Sequence, residues 1–209
     1  MPPDYFMSKQ IEQITPEIAD WISRQKIFFV ATAPLAANGH VNCSPKGGDA
    51  FKILNPLSVA YLDYTGSGAE TAAHLKDNGR IVIMFCAFGG PPQIARLHSR
   101  GEVIEPSHPE FATLAAQFPA NPGVRAVVRI AVSRVSVSCG FSVPFFDYRE
   151  HRDNLNKWAE TKGAKGVREY RREKNQKSID GLPALDVGLE YFFGRDGGLH
   201  GLSSYCRLD

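Results

Sequence analysis

Two short stretches of the chain carry residue types that could hold an anion. Ser44-Pro45-Lys46-Gly47 puts a lone lysine in a turn-forming context. Tyr64-Thr65-Gly66-Ser67-Gly68-Ala69-Glu70-Thr71 is a glycine loop rich in hydroxyls. Glycine relieves the steric limit on backbone approach, and hydroxyls donate to oxyanions. A helix beginning just after such a loop adds free N–H groups and the positive end of its dipole. Together the two stretches predict a phosphate site, with Lys46 as the charge and Thr65 to Gly68 as the donors. The loop has neither the G-x-G-x-x-G nor the Walker spacing, so those nucleotide folds are disfavoured. The same residues also suit an ordinary strand-to-helix turn capped by Ser67, and spacing alone leaves both readings open.

The elements that must place these stretches follow from periodicity. "ITPEIADWISRQ" predicts a helix capped by Thr15, with Pro16 first inside it and Ile18, Trp21 and Ile22 on one face. "KIFFVATAP" and "HVNCSPKGG", joined around the "NG" at 38–39, predict a β-hairpin. "LSVAYLDY" is the next strand, and "SGAETAAHLKDNGR" a helix with Ser67 as its cap and Gly79 as its stop. "RIVIMFCAF", "QIARLHSRGEVIE" and "VRAVVRIAVSRVSVSCG" add three strands. "SHPEFATLAAQF" predicts a helix opened by a Ser107–Glu110 capping box. After Pro144, "YREHRDNLNKWAETKG" and "VREYRREKNQKS" predict two polar helices, and from about Asp180 the tail reads as loop. Six strands in close succession, with helices between and at the ends, predict an α+β, mainly β fold: an antiparallel barrel with peripheral helices. The chain divides into a barrel over 1–145 and a helical extension with its tail, packed on the barrel, over 146–209.

Composition narrows the function classes. A formal charge of +2 on 209 residues is too small for a nucleic-acid or membrane-binding field, so neither partner is expected. The basic run at 162–177 is interleaved with acids and reads as a solvated helix face. Cys43, Cys86, Cys139 and Cys206 lie far apart and form no C-x-x-C, which suits a reducing compartment. No stretch resembles a signal peptide or a membrane span, so the cytoplasm is expected. The six histidines never reach zinc spacing, and no metal is expected. No G-x-S-x-G elbow points to serine hydrolysis. Phe28, Phe29, Phe85 and Phe88 are expected in the core, and Trp158 in helix packing.

Taken as a set, "FFVATAP", "GHVNCSPKG", "YLDYTGSGAETAAHLKDNGRIVIMFCAF" and "RLHSRGEV" resemble the pyridoxamine 5′-phosphate oxidase-like family, the FMN-binding split barrels. "CGFSVPFFDY" and "NQKSIDGLP" look like marks of one uncharacterised branch. The resemblance implies a six-stranded split barrel, a homodimer and one FMN in each of two clefts at the subunit interface. It implies that the strand carrying Asn42, Ser44, Pro45 and Lys46 runs beside the isoalloxazine, with Ser44 and Lys46 directed toward flavin or phosphate. Tyr64, Thr65, Gly66, Ser67, Glu70 and Thr71 then stand where oxidases of the family carry basic phosphate ligands. This loop has no Arg or Lys, which leaves the charge to Lys46 and to Arg96, whose strand in the family reaches the partner's flavin. The family's C-terminal R-x-H element is missing. Arg96-Leu97-His98 lies mid-chain and Arg149-Glu150-His151 opens an expected helix, so both read as chance matches. Vitamer oxidation is therefore not expected. What is implied is an FMN-dependent oxidoreductase acting on an unidentified small molecule, with no catalytic side chain singled out. A non-catalytic flavin-binding protein, or the same fold holding deazaflavin or haem, are the alternatives.

Overall fold

The computed structural model describes residues 9–187, 191–193 and 199–201. Period-two burial builds its main sheet. β2 (Ile27–Thr32) buries Phe28, Val30 and Thr32, and β6 (Arg80–Cys86) buries Ile81, Ile83 and Phe85. β7 (Ile94–Ile104) and β8 (Val124–Ser138) are the long central strands, and β5 (Ser58–Tyr64) is buried almost throughout. β3 (Asn42–Gly47) and β4 (Phe51–Asn55) complete the order β3-β2-β6-β7-β8-β5-β4, every pair antiparallel. A short β1 (Lys9–Ile11) pairs with β8.

The sheet curls into a split barrel. Phe28 of β2 reaches across to Phe51 of β4 and Tyr61 of β5, with ring centroids 5.2 and 5.6 Å apart, and to Phe85 at 5.8 Å. These rings fill the interior together with Val30, Ile83, Leu97 and Ile130. All six expected strands are present. β1 and β4 are additions, and "FKILN" escaped notice because its burial does not alternate cleanly.

α1 (Pro16–Ser23) is capped as expected: Thr15 Oγ1 accepts from the Ile18 N–H at 3.4 Å. Ile18 and Ile22 close one side of the barrel core. α2 (Glu70–Asn78) ends at Gly79, whose φ of 71° is the left-handed stop that glycine favours. Its start corrects the sequence reading. Ala69 holds the cap position and Ser67 makes no capping bond, because the loop before it is tied to other elements.

α3 (Phe111–Ala115) is shorter than expected and lacks the Ser107–Glu110 capping box. His108 takes that place, its Nδ1 accepting from the Glu110 N–H at 3.2 Å. α4 (Asn154–Lys174) breaks at Gly163 (φ 65°, ψ 169°), which matches two successive helices. Its first half begins only at Asn154, so Tyr148 to Asp153 lie outside it. Trp158 packs edge-on against Tyr170, as helix packing requires. In the tail, β9 (Tyr191–Phe193) and β10 (Leu199–Gly201) pair antiparallel where loop was expected. Cys206 lies outside the described residues.

Candidate functional site

Alternation on β3 sends Asn42, Ser44 and Lys46 inward, opposite Thr32, Val30 and Phe28 of β2. The Asn42 amide donates to Thr71 Oγ1 at 3.0 Å and to Thr32 Oγ1 at 3.4 Å, and Ser44 donates to Asn42 Oδ1. Thr32 in turn lies 2.9 Å from His74 Nδ1. One polar chain thus joins the β2–β3 hairpin to the first turns of α2.

Beside it sits an ionic cluster. Asp63 on β5 is 1% exposed; its Oδ1 is 3.1 Å from Lys46 Nζ and its Oδ2 2.7 Å from Arg125 Nε. A bulge brings Arg125 there. Asp63 pairs with Ala126 and Tyr64 with Val124, so the ladder skips Arg125 and its side chain turns in. Burial by itself would raise the Asp63 carboxyl, but Lys46 and Arg125 hold it below the ordinary aspartate value. The neighbouring Tyr61 phenol is pushed well up by burial and by Asp63.

The glycine loop rests on this cluster and on α4. Arg125 Nη1 donates to Gly68 O at 2.8 Å, and Asn175 Nδ2 donates to Gly66 O at 2.9 Å. Thr65 donates its hydroxyl to Gly123 O and accepts from Arg171 Nε at 2.8 Å. Arg171 Nη2 also donates to Val124 O. These bonds have a directional consequence. In a trans peptide the N–H points opposite to the preceding C=O, and no cis bond occurs among the described residues. With the Gly66 and Gly68 carbonyls bonded, the N–H of Ser67 points away from Asn175 and that of Ala69 away from Arg125, just before α2. Glu70 folds back over the loop: a Cβ on Gly68 would come within 3.1 Å of Glu70 Oε1.

Three cations, Lys46, Arg125 and Arg171, therefore converge around one deeply buried carboxylate. Burial, with Arg125 beside it, lowers the Arg171 guanidinium to about 10. Three buried polar atoms around α2, Glu70 Oε2, His74 Nε2 and Asn175 Oδ1, have no partner among the described residues. Native interiors rarely leave such atoms unpaired without a reason.

The residues singled out in the sequence fall into three groups. Asn42, Ser44, Lys46, Thr65, Gly66, Glu70 and Thr71 come together here. Lys46 does so as the partner of Asp63 rather than as a free charge, and Ser67 stands exposed on the loop. Pro45 and Tyr64 instead line an adjoining open cleft of about 1500 Å³, which Lys46 also reaches. Arg96 is brought to neither. It projects from the other face of β7, where Nη1 donates to Ser138 Oγ at 3.2 Å.

Ile27 and Phe29 floor the cleft, and Phe88, Phe146 and Tyr148 wall it. Phe29 and Phe88 are thus only half-buried, a correction to their expected place in the core; Phe28 and Phe85 hold theirs. The wall is strapped to the barrel, with His151 Nδ1 accepting from the Gly48 N–H and Lys26 lying over the Tyr148 ring. Arg149-Glu150-His151 lies in this irregular segment, not in a helix, and lines the cleft.

Sequence reasoning missed Asp63, Arg125, Arg171 and Asn175. The first two left a trace, since a lone charge inside an apolar strand must find a buried partner. Arg171 and Asn175 left none, lying 106 and 109 residues from their loop partners.

Comparison with known proteins follows the barrel. The family model described as pyridoxamine 5′-phosphate oxidase matches residues 14–139. The pyridoxamine 5′-phosphate oxidase family protein ustO of Aspergillus flavus is 39% identical over 195 residues, covering 85% of this chain and 78% of that protein. Among solved structures, HupZ of Group A Streptococcus aligns at a TM-score of 0.47 and 25% identity, over 58% of this chain and 91% of its own. An FAD-binding protein of Mesorhizobium loti aligns at 0.44 and 12%, over 63% of this chain and 95% of its own.

Proposed function

The chain belongs to the pyridoxamine 5′-phosphate oxidase family, and on that premise we propose that it is an FMN-dependent oxidoreductase acting on a small-molecule substrate. One observation carries this reading. The loop before α2 leaves two backbone N–H groups facing away from its bonded carbonyls at a helix N-terminus, backed by Lys46 and Arg125 on one buried carboxylate and by Arg171 on Thr65. Dipole, donors and excess positive charge at one place suit a phosphate monoester. Glu70 is the discordant member, and its carboxylate would swing away from an incoming phosphate.

In this reading Lys46, Ser67 and Thr71 hold the phosphate end, Thr65 anchors the loop through its two bonds to Gly123 O, and Asn42, Ser44 and Pro45 border the ring along β3. The adjoining cleft leaves room for ring and substrate. Bound flavin would supply the electron-transfer chemistry, while the chain binds it, orients it and excludes water. A second copy would complete the site. Phe145 and Phe146, 80% and 64% exposed beside the cleft, form an apolar rim suited to burial in a homodimer. Arg96, on its separate face, would then serve the partner's flavin. Free thiols at Cys43, Cys86 and Cys139 fit a cytoplasmic setting, and no described helix is long and apolar enough to cross a membrane.

The test is direct. Purified protein should carry flavin absorption bands, release FMN on denaturation and sediment at twice 23.0 kDa. Colourless protein that takes up neither FMN nor riboflavin at micromolar concentration sinks the proposal. A Soret band would replace flavin with haem, and flavin bands without turnover of any donor would leave a flavin carrier.

A further inference from the structure

The segment following the second half of α4 wraps the glycine loop although it lies outside the stretch matching the family model. Ala184 and Leu185 pack on Ala69, Ala72 and Ala73 at the start of α2. Asp180 pairs with His40 and accepts from its N–H at 2.8 Å, which ties the segment to the β2–β3 hairpin. Arg171 and Asn175 stand where this strap meets the loop. We infer that Arg171 and Asn175 are positioning residues of the phosphate site, so that the C-terminal strap sets the loop in its anion-binding shape.

Two physical arguments support this. First, Gly66 and Gly68 flank Ser67, and peptides between glycines turn over easily because both signs of φ are open to them. Without the Asn175 bond at Gly66 O and the Arg171 bond at Thr65, a carbonyl oxygen is free to rotate to the outer side, where it would repel phosphate. Second, Arg171 donates to neutral oxygens, those of Thr65, Gly123 and Val124. A largely buried guanidinium with no carboxylate bonded to it among the described residues is costly to keep charged, and its lowered proton affinity reflects that. An anion across the loop relieves the cost.

The ligand identity here rests on the FMN reading, so the test separates the two. FMN and riboflavin are titrated into wild type and variants by flavin fluorescence, with thermal midpoints recorded without ligand. Arg171→Gln should weaken FMN about ten- to a hundredfold, as for loss of a charge-assisted contact. Asn175→Ala should weaken it about three- to tenfold, and riboflavin should change less than about threefold in both. Arg171→Lys should recover part of the loss, which a purely structural role would not produce. Equal losses for both ligands, or unchanged FMN affinity in folded variants, overturn the inference. If the variants do not fold, wild type is compared in inorganic phosphate and in chloride at equal ionic strength by hydrogen exchange. Phosphate should then slow exchange in 64–71 and in 171–187 together, and protection of the loop alone overturns the inference. Should wild type bind no flavin, the FMN reading fails by itself. Inorganic phosphate must then still raise the wild-type midpoint and not that of Arg171→Gln; no effect on wild type removes the strap from any anion site.

Discussion

Tyr61 and Asp63 are two residues apart on one face of β5, yet they belong to different kinds of interior. Tyr61 lies among Phe28, Phe51 and Phe85, where ring meets ring and burial supplies most of the stability, although its hydroxyl is itself a buried polar atom. Asp63 lies among Lys46, Arg125 and, a shell further out, Arg171, where cations outnumber the carboxylate and polar atoms go unpaired. The aromatic region is packed ring on ring. The ionic region rests on buried charge, and a protein that tolerates such an arrangement gains little stability from it compared with an apolar replacement. On the proposed reading, the loop end of the barrel binds the ligand and the ring-filled interior holds the strands in place.

The largest test of this contrast pits Asp63→Ala against Phe28→Ala. Removing the carboxylate strands Lys46 and Arg125 and should cost about 3–5 kcal/mol. Removing the ring should cost about 3–5 kcal/mol through lost burial and a cavity. Urea unfolding measures both, and pH tells them apart. Because the folded Asp63 carboxyl lies below its ordinary 3.8, its contribution is present above that pH and is lost as pH falls through the folded value. Acid unfolding should therefore shift in Asp63→Ala and keep its wild-type steepness in Phe28→Ala. Identical acid profiles would erase the distinction.

Next in size is Lys46→Ala, which should weaken FMN by roughly 1.5–3 kcal/mol, about ten- to a hundredfold, and riboflavin far less. Equal losses for the two ligands in a fluorescence titration would move Lys46 from phosphate to ring. Ser67→Ala comes below it. As a neutral donor on an exposed loop, Ser67 should contribute roughly 0.5–1.5 kcal/mol to FMN binding. It should add nothing to the ligand-free thermal midpoint, since Ala69 holds the cap position. A fall of several degrees in that midpoint would restore the capping role.

His74 gives the smallest effect. Burial lowers its proton affinity below the ordinary 6.5, against the upward pull of Glu70, Asp180 and Asp77. Between the folded value and 6.5 the unfolded chain binds more protons, so stability declines as pH falls through that window. His74→Asn should flatten this part of the curve, and an unchanged slope would show that His74 titrates alike in both states.

What the sequence disclosed was largely local. Thr15-Pro16 at a helix start, Gly79 at a helix end and the alternation on either side of Asn38-Gly39 each act within a few residues, and all three are realised. The loop at 64–71 was visible for the same reason. Its setting was not. Ser67 has the residue type of a cap, but bonds from Arg125 and Asn175 fix the carbonyls on either side of it and the helix begins later. "FKILN" carries no clear period, and its place at the sheet edge opposite β3 depends on how the whole sheet curls. Arg125 reads as one more strand residue until a one-residue bulge turns it inward.

The span of the Arg171–Thr65 and Asn175–Gly66 bonds, 106 and 109 residues, also bears on biosynthesis. Strands β2 to β8 can begin pairing as soon as residue 138 has left the ribosome, since each partner has by then been made. The loop cannot take its final shape until translation has passed residue 175. On the proposed reading, a nascent chain with a nearly finished barrel would still lack its anion site, and cofactor capture would be one of the last events in its maturation.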